Sequence, residues 1–360
     1  MTYTVAVRAL CEFTAKQGDL DLRFTPSATA LEGMAGHALA ASRRGERYER
    51  EVNVAGAHQD LHVRGRADGF DPDANRLDEV KTFRGELARL PDNRRALHRA
   101  QARVYGALLC RARGLATLRV ALVYVDVATG DETVLVEEHA AAALEAFFVE
   151  QCERFLGWAR QEAAHRAERD EALGHLPFPH ARFRAGQRAL AEGVYRAAVA
   201  GRPLLVQAPT GNGKTLGTLY PQLRAMPGQG LDKIFFLAAK TTGRGLALEG
   251  VRTLRTGTAL RVVELVARDK ACEHPDRQCH GASCPLARGF YDRLPAARQT
   301  AVDVVSASRG AGSEDRVDAR LGASLPEGTS GGDAGATEAG AHARDTAAPA
   351  LLDRARVRAV

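Results

Sequence analysis

The segment 208–215, with the sequence Ala-Pro-Thr-Gly-Asn-Gly-Lys-Thr, constrains the fold of this chain more than any other feature. An apolar run at 203–207, which has the pattern of a buried strand, precedes the segment, and a helical pattern follows it. Another apolar run lies at 233–238. Strands that alternate with helices indicate a parallel α/β sheet, and a glycine-rich loop between strand and helix is a context for phosphate binding.

The residue types of this loop match the chemistry of nucleotide phosphates. Glycines let the backbone curl so that its N–H groups face phosphate oxygens. A lysine adds positive charge at the β and γ phosphates, and a threonine offers its hydroxyl to Mg²⁺. The sequence therefore predicts an ATP-binding loop formed by Gly211, Asn212, Gly213, Lys214 and Thr215. The alternative is a glycine-rich turn that contains a lysine by chance.

An aromatic residue and a glutamine precede the loop, at Phe183 and Gln187. Their spacing resembles the adenine-recognition motif of superfamily 2 helicases. In that motif an aromatic side chain stacks near the base and a glutamine hydrogen-bonds its edge. The resemblance implies that Phe183 and Gln187 contact the adenine of ATP.

Three closely spaced cysteines, Cys272, Cys279 and Cys284, follow the loop. Thiolates at short spacing suit either zinc or an iron–sulfur cluster, and the residues alone favour neither. His274 or His280 could complete a zinc site with them. The remaining alternative is a chance cluster of unligated cysteines.

Residues 178–302 resemble the iron–sulfur helicases of the XPD/DinG class. The resemblance rests on the loop, the cysteines and the segment 289–298, and it implies a 4Fe–4S cluster, ATP, and single-stranded or forked DNA as partner. The family's fourth cysteine, its acidic Mg²⁺-binding motif and its second motor domain do not follow in this sequence. We therefore expect weak nucleotide binding at most, and no unwinding by this polypeptide alone.

A second constellation, Asp68, Glu79 and Lys81, lies on a predicted β-hairpin with turn residues at 72–75. Glu79 and Lys81 are two residues apart, so they share one face of a strand. Carboxylates on adjacent strands can bind a divalent metal, and a nearby lysine can orient a water molecule. The alternative for the Glu-x-Lys pattern is a solvated strand face.

This layout resembles the PD-(D/E)XK nucleases over residues 25–138, and His37, Gln101 and Tyr105 point to their RecB-like branch. The resemblance implies that His37, Asp68 and Glu79 bind Mg²⁺ or Mn²⁺. It further implies catalytic roles for Asp68, Glu79, Lys81, Gln101 and Tyr105. Some members of this fold only bind DNA, so cleavage is a separate expectation from the fold.

The composition, with 45% hydrophobic and 26% charged residues, is that of a globular protein. The formal net charge of +6 is compatible with DNA. We find no apolar run that would span a membrane and no secretory signal, which predicts a cytoplasmic protein. Six cysteines are too few for a disulfide scaffold, and Cys11, Cys110 and Cys152 are expected to be ordinary buried thiols.

The predicted fold is α/β, with a PD-(D/E)XK nuclease-like domain at 1–172 and a linker at 173–180. A partial P-loop, RecA-like helicase domain with the inserted cysteine cluster occupies 181–302. Within the first domain a long helix is expected from about His139 to Ala172. Residues 303–360 lack seven residue types, Phe, Tyr, Trp, Ile, Met, Cys and Lys, which predicts disorder and suggests a shifted reading frame or an artificial terminus.

The leading hypothesis is a helicase/nuclease-type protein that processes DNA in repair or recombination. One alternative is a DNA-binding or regulatory protein whose motifs are vestigial. Another is a zinc-containing P-loop ATPase that does not act on DNA. No membrane partner is expected, and no protein partner is indicated.

Overall fold

The structure, a computed structural model, describes residues 2–24, 26–255 and 257–307. These residues form two compact units. The first unit takes in the described residues of Met1–Ala159 and Val266–Gln299, and the second takes in those of Arg160–Leu265 and continues from Thr300. The three clustered cysteines therefore belong to the first unit, although the sequence analysis placed them in the 181–302 domain.

A six-stranded mixed sheet forms the centre of the first unit. Its strands are β1 (Tyr3–Ala6), β2 (Glu49–His58), β3 (Leu61–Asp71), β4 (Arg76–Phe83), β5 (Thr117–Asp126) and β6 (Glu132–Ala140). β3 pairs in parallel with β1 and antiparallel with β2 and β4. β5 pairs in parallel with β4 and antiparallel with β6. The predicted α/β class and the predicted hairpin between β3 and β4 are confirmed.

The described helices are α1 (Val7–Thr14), α2 (Ala30–Ser42), α3 (Asp92–Arg113), α4 (Ala141–Gly174), α5 (Gln187–Ala200), α6 (Lys214–Gln229), α7 (Thr241–Leu254), α8 (Arg268–Ala271) and α9 (Phe290–Ala307). Helices cover both faces of the sheet. Along β5, Leu118, Val120 and Leu122 pack in one hydrophobic cluster with α1, α3 and α4, whereas Val123 and Val125 pack in another with α2. This alternation follows from the two-residue period of a strand.

Two strands predicted in the second unit, at 203–207 and 233–238, are wrong. The described residues of this unit contain helices and no strand. A strand needs a neighbouring strand to accept and donate its backbone hydrogen bonds, and neither segment has one here. Several of their apolar side chains stay in solvent, with Leu205 100% and Leu237 90% exposed, whereas Ile234 packs against the hydrophobic cluster of this unit.

The start of the long helix and the C-terminal segment differ from their predicted bounds. The helix predicted from about His139 begins at Ala141, because residues up to Ala140 form β6, which continues the sheet through a turn after β5. The disorder predicted for 303–360 concerns mainly 308–360, which lie outside the described residues. Residues 303–307 end α9. None of the described helices combines the length and the apolar composition needed to cross a bilayer.

Candidate active site

A break in the pairing of β3 creates the central feature of the first unit. On the edge opposite β2, residues 61–64 pair with β1 and residues 69–71 pair with β4. Residues 65–68 lie between these two ladders. In this gap the amide of Val80 donates a 2.7 Å hydrogen bond to Asp68 Oδ2. The carboxylate of Asp68 is therefore fixed at the point where β3 and β4 diverge.

Glu79 and Lys81 project from β4 beside this point. Lys81 Nζ lies 2.5 Å from Glu79 Oε1, and Glu79 is only 3% exposed. Burial raises the pKa of Glu79 and the charge of Asp68 raises it further, while Lys81 opposes the rise. Burial alone would lower the pKa of Lys81, but the charges of Glu79 and Asp68 outweigh burial and raise it. The structure thus brings together the two carboxylates and the ammonium group that the sequence analysis selected.

The neighbouring acid, Asp78, points to the opposite face of β4 and has a structural role. Its oxygens lie 2.7 Å from Arg44 Nε and 2.7 Å from Arg76 Nε, and its side chain is fully buried. Tyr48 Oη donates a longer hydrogen bond of 3.4 Å to the same carboxylate. Two guanidinium groups therefore neutralise Asp78, whereas Glu79 has one ammonium partner and a like-charged neighbour.

α2 carries His37 to the same carboxylate. His37 Nδ1 lies 3.3 Å from Asp68 Oδ1. The helix begins with a capping box in which Thr29 and Glu32 exchange side-chain and backbone hydrogen bonds. A Cβ at Gly36 would overlap the side chain of Thr82 on β4, so the close approach of α2 to the sheet needs a glycine there.

α3 covers the other side of the site with the predicted pair Gln101 and Tyr105. Gln101 is buried, one helical turn before Tyr105. The ring of Tyr105 fills the space above Gly65, in the gap between the two ladders. Burial, together with the charges of Glu79 and Asp68, raises the pKa of Tyr105, so its phenol keeps its proton.

Sequence reasoning missed His98, which lies one turn before Gln101 on the same helix. His98 Nδ1 is 3.1 Å from Tyr124 Oη, and Tyr124 stands beside Lys81 in the register of β4 and β5. Burial lowers the pKa of His98 to about 3, and the charges of Lys81 and Arg94 contribute to this shift. The spacing of His98, Gln101 and Tyr105 at positions i, i+3 and i+7 was the available signal.

The donor set of this site fits a hard divalent cation. Carboxylate oxygens from Asp68 and Glu79, with the imidazole of His37 at the margin, suit Mg²⁺ or Mn²⁺. Burial is the main cause of the raised pKa of Glu79 and the charge of Asp68 adds to it, and a bound cation would offset both effects. In the present side-chain positions, no three His, Cys, Asp or Glu residues among those described are grouped closely enough to share a metal.

In the second unit, the predicted phosphate-binding loop precedes α6. Gly211 and Gly213 have positive φ angles of 84° and 77°. Lys214 Nζ donates to the carbonyls of Pro209 at 2.6 Å and Ala208 at 3.0 Å, so the loop folds over its own lysine. Thr215 lies in the first turn of α6. Asn212 Oδ1 is buried without a hydrogen-bond partner.

Gln187 contacts this loop rather than standing apart from it. Its Nε2 donates to the carbonyl of Gly213 at 2.9 Å, and its Oε1 accepts from the amide of Arg184 at 2.9 Å. Phe183 stacks on Phe178 with ring centroids 3.8 Å apart. Gln187 therefore supports the loop directly, and contact of Phe183 and Gln187 with adenine stays a prediction.

The clustered cysteines carry thiols that are not in disulfides. Burial raises the pKa of Cys279, the charges of Cys284 and Cys272 raise it further, and Arg268 opposes the rise. The amide of His274 donates to Cys272 Sγ at 3.4 Å. Zinc or iron–sulfur binding by this cluster stays a prediction. The other three cysteines, Cys11, Cys110 and Cys152, are buried, as expected.

Comparisons with known proteins add little. No protein-family model and no curated protein matches this chain. Among solved structures, a match titled "Crystal structure of SSO0001" is 17% identical, covers 42% of this chain and 77% of that chain, and has a TM-score of 0.28. A likeness at that TM-score carries no argument about fold or function.

Proposed function

We propose that the first unit is a metal-dependent nuclease of the PD-(D/E)XK type that cleaves DNA. The observation that supports this most is the convergence of Asp68, Glu79 and Lys81 where β3 and β4 diverge. Two carboxylates and one ammonium group in a partly buried site are the groups that metal-assisted hydrolysis of a phosphodiester requires.

Asp68 and Glu79 are the residues that would hold Mg²⁺ or Mn²⁺, with His37 at the margin of the site. A bound divalent cation supplies positive charge that polarises the scissile phosphate and lowers the pKa of a water molecule. Because the pKa of Lys81 is raised, its ammonium group stays protonated at neutral pH. Lys81 therefore orients water and stabilises negative charge on the phosphate, and it does not act as a general base.

Tyr105 and Gln101 line the α3 side of the proposed substrate path. The raised pKa of Tyr105 keeps a hydroxyl donor next to the carboxylates at neutral pH. A neutral donor can bind a phosphate oxygen without adding charge to the site. We assign Tyr105 and Gln101 to substrate positioning.

We further propose that the second unit binds ATP, as in a helicase/nuclease fusion that processes single-stranded or forked DNA. Lys214 and Thr215 would hold the phosphates and Mg²⁺, with Gln187 supporting the loop through Gly213. The cysteines would hold a 4Fe–4S cluster, with zinc as the alternative. The competing hypotheses are a DNA-binding protein with vestigial motifs and a zinc-containing P-loop ATPase that does not act on DNA.

The test is cleavage of labelled single-stranded DNA by the purified chain with Mg²⁺ or Mn²⁺. We expect cleavage that chelation abolishes and that Asp68→Asn and Glu79→Gln reduce by at least about 100-fold. Asp73→Asn is the matched control, because Asp73 is exposed in the turn of the same hairpin and its carboxylate forms a surface ion pair with Arg47. DNA binding without cleavage under all these conditions would instead favour the vestigial-motif hypothesis.

A further inference from the structure

The connection between α1 and α2 is hydrogen-bonded to the segment that carries the cysteines, within the first unit. The amide of Leu22 donates to the carbonyl of Cys279 at 2.9 Å, and the amide of Leu20 donates to the carbonyl of Ala287 at 2.8 Å. In the other direction, the amide of Tyr291 donates to the carbonyl of Gly18 at 3.0 Å. Residues 18–22 are therefore tied at three backbone positions to a segment distant in sequence.

Two carboxylates reinforce this contact in opposite directions. Asp19 Oδ1 accepts a 2.7 Å hydrogen bond from the amide of Gly289, and Asp292 Oδ1 accepts a 2.8 Å hydrogen bond from the amide of Gly18. A Cβ on residue 281 would overlap the carboxylate of Asp19. The contact thus depends on the absence of a side chain at Gly281, and the fit is specific rather than a loose apposition.

The same connection reaches the helix that carries Gln101 and Tyr105. Asn93, in the first turn of α3, donates from Nδ2 to the carbonyl of Asp19 at 2.5 Å. At the other end, the guanidinium of Arg298 lies 4.8 Å from the ring centroid of Phe13 in α1. The connection therefore contacts α3 through Asn93, and α9, which follows the cysteines, contacts α1 through Arg298 and Phe13.

We propose that residues 279–292 form a clasp that closes on residues 18–22 and, through Asn93, holds the first turn of α3 in place. Because Cys279 lies at one end of the clasp, a ligand or modification on its thiol acts directly on the contact with Leu22. Binding at the cysteines is thereby coupled to the order of the helix over the candidate active site. The clasp concerns the fold of the first unit and stands whether or not that unit cleaves DNA.

Amide hydrogen exchange of the full chain, followed by mass spectrometry, tests the clasp. In Gly281→Ala we expect the peptide containing Leu20 and Leu22 to exchange at least about tenfold faster, with faster exchange also at the start of α3. Gly45→Ala is the matched control, since a Cβ there meets no atom within 4 Å, and its exchange should equal that of the original chain. Unchanged exchange at Leu20 and Leu22 in Gly281→Ala would overturn the docking.

A second variant covers the case in which Gly281→Ala does not fold. Asp19→Ala removes the acceptor for Gly289 and also Oδ2 and Cγ, the two atoms that a Cβ at residue 281 would overlap most closely. We therefore expect Asp19→Ala to accelerate the same amides and the double variant to add no further acceleration. Additive effects would contradict the proposed contact between Asp19 and residue 281.

The coupling to the cysteines has its own measurement. Iodoacetamide should alkylate Cys284, which is buried, at least about tenfold faster in Asp19→Ala than in the original chain, while buried Cys11 should not change. Conversely, Asn93→Ala should release the start of α3 and leave alkylation of Cys284 unchanged. If amide exchange at the start of α3 is faster in neither Asp19→Ala nor Asn93→Ala, the proposed link through Asn93 is wrong.

Discussion

The amide of Val80 donates its hydrogen bond to the carboxylate of Asp68, at 2.7 Å, in the gap between the two ladders on one edge of β3. A side-chain oxygen thus acts as the acceptor for a main-chain donor. Asp68 consequently has one structural oxygen and one that faces His37 at 3.3 Å. Two substitutions of Asp68 can therefore distinguish the contribution of the oxygen that binds Val80 from that of the oxygen that faces His37.

Asp68→Ala should lower the free energy of unfolding by about 1–3 kcal/mol, because the amide of Val80 loses its acceptor in a partly buried position. Asp68→Asn keeps an oxygen that can accept this bond and should cost less than about 1 kcal/mol. Both variants should lose metal-dependent cleavage. Urea denaturation measures the free energy of unfolding of both variants. Equal decreases in the two variants would show that the hydrogen bond from Val80 contributes nothing to stability.

The raised pKa of Glu79 predicts a pH dependence of metal binding. Protonation competes with the cation, so Mn²⁺ affinity should increase by up to about tenfold per pH unit below the raised pKa. Glu79→Gln should remove this slope and weaken binding. Calorimetric titration with Mn²⁺ from pH 5 to pH 8, in steps of about one pH unit, measures the affinity and its dependence on pH. An affinity in the original chain that is independent of pH would contradict the assignment.

Glu79 also affects stability with a defined sign. A carboxyl whose folded-state pKa is raised above 4.5 contributes stability that is present below that pH and is lost as the pH rises through the folded value. Glu79→Gln should flatten this part of the stability profile. Thermal denaturation across acidic and neutral pH provides the measurement, with Glu51→Gln, an exposed acid on β2, as control.

His98 gives the opposite sign. Its pKa is lowered from 6.5 to about 3, so its contribution to stability is complete above pH 6.5 and is lost as the pH falls towards 3. In His98→Asn the loss of stability between these values should be smaller. Tyr124→Phe, which removes the hydroxyl partner of Nδ1, should cost about 1–3 kcal/mol at neutral pH. Identical acid unfolding profiles for His98→Asn and the original chain would contradict this role.

Lys214→Ala tests the proposed phosphate-binding loop separately from the first unit. The ammonium of Lys214 contacts only carbonyls of its own loop among the described hydrogen bonds, so its loss should change stability by less than about 0.5 kcal/mol. We expect Mg²⁺-ATP binding to weaken by at least about tenfold. Fluorescence titration with a labelled ATP analogue measures the affinity, and Lys233→Ala in the same unit serves as control. Equal affinity in both variants would contradict the loop assignment.

The sequence predicted the first unit better than the second for a physical reason. β5 is an almost continuous apolar run, and β4 has apolar residues at Leu77, Val80 and Phe83. Each of these strands pairs with a neighbouring strand within the described residues. The runs at 203–207 and 233–238 have the same apolar character but no such neighbour, so periodicity alone could not decide their structure.

In the candidate site, too, the sequence predicted the residues that share a strand or hairpin but not the contacts between distant segments. The pairing of Asp68 with Glu79 and Lys81 followed from strand period and hairpin position. The helical spacing of His98 from Gln101 and Tyr105 was a sequence signal, but the contact of His98 with Tyr124 was not, because only the folded sheet brings β5 next to Lys81. The contact between residues 18–22 and the cysteine segment was equally hidden, since it joins residues more than 250 positions apart in sequence.

The opposite orientations of Asp78 and Glu79 place a constraint on the turn between β3 and β4. Inserting or deleting one residue at 72–75 would slide β4 by one position and reverse both side chains. Glu79 would then face Arg44, whereas Asp78, together with Arg76 on the same strand, would turn to the face next to Asp68. A solvent-facing turn of this kind ordinarily tolerates length variation. Here the length of the turn determines which face of β4 carries each acidic side chain. Single-residue insertions or deletions at 72–75 should therefore be far less tolerated than substitutions.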